Sequence, residues 1–130
     1  MKKYRVLLIE DDPDFLAGIT TTLEFAKIDV ISASEGPEGI EKALNTDPDC
    51  IILDMVLPGM DGYEVFCELK RHDETADIPV IILTSLTKLG RYQDAERLLK
   101  QENIAGWFEK PFKPNQLIDK VKSVIQDKTD

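Results

Sequence analysis

Cys50-Ile51-Ile52-Leu53-Asp54 is the stretch on which the fold turns. Four consecutive apolar residues end abruptly at an acid. A continuous aliphatic run this short is expected of a strand buried on both faces of a parallel sheet.

The same signature occurs twice more, in Val6-Leu7-Leu8-Ile9 and in Val80-Ile81-Ile82-Leu83. A fourth, weaker run is Ala105-Gly106-Trp107-Phe108, and a fifth, Ile28 to Ala33, alternates more and suits an edge. Segments with helical spacing fall between the runs. Their apolar stripes are Phe15, Ile19, Leu23 and Ala26; Ile40, Ala43 and Leu44; Val65, Phe66 and Leu69; Leu89, Tyr92, Ala95, Leu98 and Leu99; and Leu117, Val121, Val124 and Ile125. Pro13, Pro37 and Pro114 each suit a first helical position, where a missing N–H costs nothing. Strand and helix thus alternate through five units, which predicts an α/β fold with a parallel sheet and right-handed crossovers. The expected architecture is a doubly wound sandwich of five strands and five helices. No long linker divides the chain, so residues 1–130 read as one domain with its core at about 4–127.

Composition narrows the function classes. Hydrophobic residues make up 42% and charged residues 32%, a balance expected of a soluble folded domain. The formal net charge of -9 repels phosphate backbones and argues against nucleic acid as a direct partner. No apolar run approaches a membrane span, and Met1-Lys2-Lys3 leads into too short an apolar stretch for a signal peptide. A cytoplasmic location with no membrane contact is expected. Cys50 and Cys67 form no CxxC pair and read as reduced, buried thiols. His72, the sole histidine, sits in the polar end of the third helical stretch and reads as solvated.

The strand ends carry the chemistry. Glu10 and Asp11 follow Ile9, Asp54 follows Leu53, Thr84 follows Leu83, and Lys110 comes shortly after Phe108. In an open parallel sheet functional groups gather at the carboxyl ends of strands. Three acids, a hydroxyl and an amine are therefore expected at one edge. Crowded carboxylates raise one another's pKa, and a hard divalent cation relieves the conflict; oxygen ligands favour Mg2+. A carboxylate beside such an ion, with an amine and a hydroxyl nearby, suits in-line phosphoryl transfer to the carboxylate.

With these residues in view, the chain resembles the CheY-like receiver domains of two-component response regulators. Asp54-Met55-Val56-Leu57-Pro58-Gly59-Met60-Asp61-Gly62 is similar to the family's phosphoacceptor strand and following loop, Val80 to Ser85 to its fourth strand, and Lys110-Pro111-Phe112 to its Lys-Pro-Phe motif. The resemblance implies the strand order 2-1-3-4-5. It makes Asp54 the phosphoacceptor, Asp11 a direct metal ligand and Glu10 an acid acting mainly through metal-bound water. It has Val56 offer a backbone carbonyl to the metal, and it makes Thr84 and Lys110 the groups that meet the phosphoryl oxygens. Trp107 takes the aromatic switch position, and the bond before Pro111 is expected to be cis. The implied partners are a histidine kinase or phosphotransfer protein and a downstream protein target, with the chain itself a monomer or weak dimer and not an enzyme in its own right. The family positions nearest the hydrolytic water are Val56 and Leu86, both apolar, which implies a long-lived acyl phosphate. The stretch from Thr84 to Lys110 is longer than is usual in the family, and the fourth helix or its flanking loops must absorb the difference.

Asp12 precedes Pro13 and is expected to cap the first helix, leaving Glu10 and Asp11 as the strand-end pair; the other register pairs Asp11 with Asp12. Asp14 complements the helix dipole. Two further readings stand beside the phosphoacceptor. A hydrolase of the haloacid dehalogenase type also uses an Asp after a strand, but it carries a second Asp two residues on, where this chain has Val56. An interaction module that has lost phosphorylation would not need the full set of acids, Thr and Lys.

Overall fold

The computed structural model describes residues 3–85 and 104–129. Five parallel strands form one sheet in the order β2-β1-β3-β4-β5. They are β1 (Arg5–Ile9), β2 (Asp29–Ala33), β3 (Cys50–Asp54), β4 (Val80–Thr84) and β5 (Gly106–Glu109). Five helices lie among the described residues: α1 (Pro13–Phe25), α2 (Gly36–Thr46), α3 (Gly62–Arg71), the four-residue α4 (Asp73–Ala76) and α5 (Pro114–Thr129). The apolar stripe from Leu89 to Leu99, and Leu86, lie outside the described residues.

The continuous aliphatic runs are the central strands. Every residue of β3 and β4 is buried, as are Val6 to Ile9 of β1. Alternate side chains feed two cores, because successive Cβ atoms point to opposite faces. Leu7, Ile9, Ile51, Leu53 and Ile82 pack with Ala43 of α2 and Val65, Phe66 and Leu69 of α3. Val6, Leu8, Ile52, Ile81 and Leu83 pack with Ile19 and Leu23 of α1 and Leu117, Val121 and Ile125 of α5. Helices on both faces are what makes two-sided burial possible. The predicted edge strand at Ile28 to Ala33 is β2, partly exposed and paired with β1.

Local signals set the helix starts. Asp12 caps α1, its side chain accepting the N–H groups of Asp14 and Phe15. Pro13 and Pro114 occupy first helical positions, whereas α2 begins one residue before Pro37. Helix α4 is held by tertiary contacts: Lys70 Nζ donates to the carbonyls of Ala76 and Ile78, and Thr75 Oγ1 to that of Leu69. Cys50 is buried and Cys67 only partly so, a departure from the expectation of two buried thiols, and both are free. No described helix is long and apolar enough to cross a membrane.

Candidate functional site

Adjacent strands in register bring the polar strand ends together. Ile9 lies beside Leu53, and Asp54 beside Leu83, so Glu10, Asp54 and Thr84 emerge at one edge of the sheet. The backbone N–H of Lys110 donates to the carbonyl of Thr84 at 2.7 Å, which carries the chain beyond β5 to the same edge. The Lys110–Pro111 peptide is cis.

The Asp54 carboxylate is 4% exposed, and both its oxygens are engaged. Oδ1 accepts the Val56 N–H at 3.0 Å, and Oδ2 accepts Lys110 Nζ at 2.9 Å. Lys110 Nζ also donates to Glu10 Oε2 at 3.1 Å, while Glu10 Oε1 accepts the Asp12 N–H at 3.1 Å. Oxygens of Glu10, Asp11 and Asp54 lie within 4.8 Å of one another. Glu10 and Asp54 are buried and Asp11 is exposed, at the mouth of an open cleft of about 510 Å³. Asp12, Phe15, Val56, Ser85, Lys110 and Pro111 complete its walls.

The loop after β3 is built for close approach. Gly59 has a φ of 77°, which side chains disfavour. A Cβ on Gly62 would stand 2.5 Å from Met55 Cα and 2.6 Å from the Asp54 carbonyl oxygen. Glycine there lets α3 start directly against the backbone that carries Asp54, with Asp61 capping the helix by accepting the Glu64 N–H.

Two unit charges about 4 Å apart interact by about 4 kcal/mol at an effective dielectric of about 20. One ammonium group cannot offset three carboxylates at that spacing. Burial, and then the neighbouring Asp54, push the Glu10 carboxyl up to about 8. Burial pulls Lys110 down, but its hydrogen bonds and charge interactions with Asp54 and Glu10 outweigh that and hold its pKa above the ordinary lysine value. The donor set fits a hard divalent cation: three hard oxygen ligands converge, and one of them takes a proton when no such cation shares the site. Thr84 adds a second indication. Among the described residues its buried Oγ1 has no hydrogen-bond partner, a costly state for a hydroxyl unless a ligand is to be met there.

Of the residues singled out from sequence, Glu10, Asp11, Asp54, Val56 and Lys110 line the cleft, and Thr84 lies at the adjoining strand end. Trp107 stands apart, 45% exposed on edge strand β5. Phe15 was legible only as a member of an apolar stripe; nothing local in the sequence shows that its ring lies under Lys110.

The family model of the response regulator receiver domain matches residues 6–122. The chain belongs to that family. Among curated relatives, the DNA-binding dual master transcriptional regulator RpaA of Synechocystis sp. is 36% identical, over 94% of this chain and 49% of RpaA. Protein PilH of Pseudomonas aeruginosa is 28% identical, over 93% of this chain and 97% of PilH. The receiver domain thus spans about half the length of RpaA but nearly all of PilH. Among solved structures, the signal receiver domain of a signal transduction histidine kinase from Syntrophus aciditrophicus superposes with a TM-score of 0.84 at 30% identity, over 95% of this chain and 91% of that one. The receiver assignment places the chain in two-component signalling and agrees with the sheet order described above.

Proposed function

We propose that this receiver domain is a stand-alone phosphoacceptor switch, in which Asp54 takes a phosphoryl group from a histidine kinase or phosphotransfer protein with Mg2+. The observation that carries the proposal is the Asp54 carboxylate. It is buried at a central strand end, oriented by the Val56 N–H and Lys110, and faced by Glu10 and Asp11.

In the reaction, a carboxylate oxygen of Asp54 attacks phosphorus in line with the donor's P–N bond. That bond breaks, its electron pair stays on the donor imidazole, and an acyl phosphate P–O bond forms. Lys110 exchanges its Asp54 oxygen for a phosphoryl oxygen, and the Thr84 hydroxyl donates to another. Glu10, Asp11, Asp54 and the Val56 carbonyl would hold Mg2+, which when bound offsets the negative charge gathered at the phosphoryl oxygens. The added charge, close to two units, then biases the arrangement of Thr84 and Trp107 and so the surface offered to a downstream protein.

The domain acts only on its own acyl phosphate, because Val56 stands where a phosphatase of the haloacid dehalogenase type carries its second acid. The reading includes a cytoplasmic monomer or weak dimer that contacts neither nucleic acid nor membrane. The test uses acetyl phosphate and MgCl2 with intact-mass detection. The wild type should gain a hydroxylamine-labile phosphoryl group, and EDTA or Asp54→Asn should abolish it. Undiminished labelling of the Asn variant overturns the assignment.

A further inference from the structure

We propose that Phe15 is a positioning residue for Lys110, its ring face forming a platform that holds the ammonium group over the phosphoacceptor cleft. The inference deepens the phosphoacceptor reading and rests on it.

Phe15 follows Pro13 and Asp14 in the first turn of α1, and its N–H is tied to the Asp12 cap at 3.4 Å. The ring lines the cleft, and Lys110 Nζ stands 4.2 Å from its centroid. That is well inside the range of about 6 Å over which a ring face attracts a cation. The ring is not free to turn away. Phe112 meets it edge-on at 5.8 Å and 80°, and Phe108 meets Phe112 at 5.5 Å and 42°. Three rings thus join α1, the segment after Lys110, and β5.

A lysine needs such support because its charge sits on a flexible four-carbon stem. In the resting state two carboxylates fix it, at 2.9 and 3.1 Å. When Asp54 becomes an acyl phosphate, one of those anchors is rewritten. The Phe15 face does not take part in the chemistry and remains in place. It attracts the ammonium without neutralising it, so the full charge stays available to the phosphoryl oxygens. An aliphatic side chain at this position would cover the lysine stem while offering no such attraction.

The decisive experiment is a double-mutant cycle on the rate of phosphorylation by acetyl phosphate with MgCl2, with thermal melts confirming that each variant is folded. Phe15→Leu should slow the reaction about threefold to tenfold, the range a partly desolvated cation–π contact supplies. Phe15→Tyr, which keeps the ring, should restore most of the rate. In a Lys110→Met background, Phe15→Leu should have no further effect. A spectroscopic readout accompanies the rates. In magnesium-free protein without donor, the Lys110 ε-methylene protons should be shifted upfield by the ring current and lose that shift in Phe15→Leu but not in Phe15→Tyr. An unchanged rate in Phe15→Leu overturns the proposal. So does equal slowing in the Lys110→Met background, which would mark Phe15 as packing alone. Failure of Lys110→Met itself to slow phosphorylation would instead defeat the phosphoacceptor reading at Lys110, and the cycle separates the two.

Discussion

Strands β3 and β5 deliver opposite charges to one cleft from opposite environments. In β3 every residue from Cys50 to Asp54 is buried, with neighbours on both sides in β1 and β4. In β5 burial alternates, Trp107 and Glu109 are exposed, and Lys110 lies just past the strand end. The Asp54 carboxylate is therefore fixed by a strand buried throughout, and the Lys110 ammonium is delivered from a looser edge. A nucleophile must be held in line with its target, where small misplacements are costly. A switch needs two arrangements of similar energy, which a two-sided core does not offer and an edge can.

The largest test of this contrast is mechanical. Leu53→Ala should lower unfolding free energy by about 2–5 kcal/mol, the cost of a cavity in a packed core. Trp107→Ala should cost less than about 1 kcal/mol, as exposed positions do. Urea denaturation followed by circular dichroism reads both, since Trp107 is the sole tryptophan and cannot report its own removal. Equal losses would break the comparison.

A second effect separates the buried acids from the surface ones. In magnesium-free buffer Glu10 keeps a proton up to about 8, first because it is buried and then because Asp54 is beside it, whereas an ordinary glutamate releases it near 4.5. Between these values the native state binds more protons than the unfolded chain. Stability should therefore be greatest below about 4.5 as far as Glu10 is concerned. It should fall as pH rises, by up to about 1.4 kcal/mol per unit, and level off above 8. Glu10→Gln should flatten this dependence, and saturating MgCl2 should reduce it. A wild-type profile already flat between those limits would mean that Glu10, at the carboxyl end of β1, does not share the enclosure of β3.

The smallest expected effect is spectroscopic. Beryllofluoride with MgCl2 should shift the Trp107 emission maximum in the wild type and leave Asp54→Asn unchanged. A shift sharpens the contrast by showing that the edge responds while the centre holds. An unchanged spectrum in the wild type would remove Trp107 from the response.

Much of this was legible along the chain. The runs at Val6, Cys50 and Val80 are aliphatic on both faces, and only a strand covered on both sides tolerates that pattern. Asp12 before Pro13 reads as a cap, and the structure shows that cap. Weaker patterns gave weaker readings. The fourth apolar run starts at Ala105, whereas β5 begins at Gly106, because an edge strand is not obliged to be uniformly apolar. Helix α4 left no trace, since four residues are too few to show a period.

The sequence by itself determined where the central strands run and which polar residue closes each of them, because burial on both faces and helix capping are local demands on residue type. Only the tertiary structure decided which of those residues meet. Lys110 reaches Glu10 across 100 positions and Asp54 across 56, and no periodicity carries information over such separations. The same closure of the sheet slides Phe15 beneath Lys110, buries Thr84 Oγ1 without a partner among the described residues and makes Glu10 hold its proton. Each of these depends on distance and desolvation, and those exist only once β1, β3, β4 and β5 lie side by side.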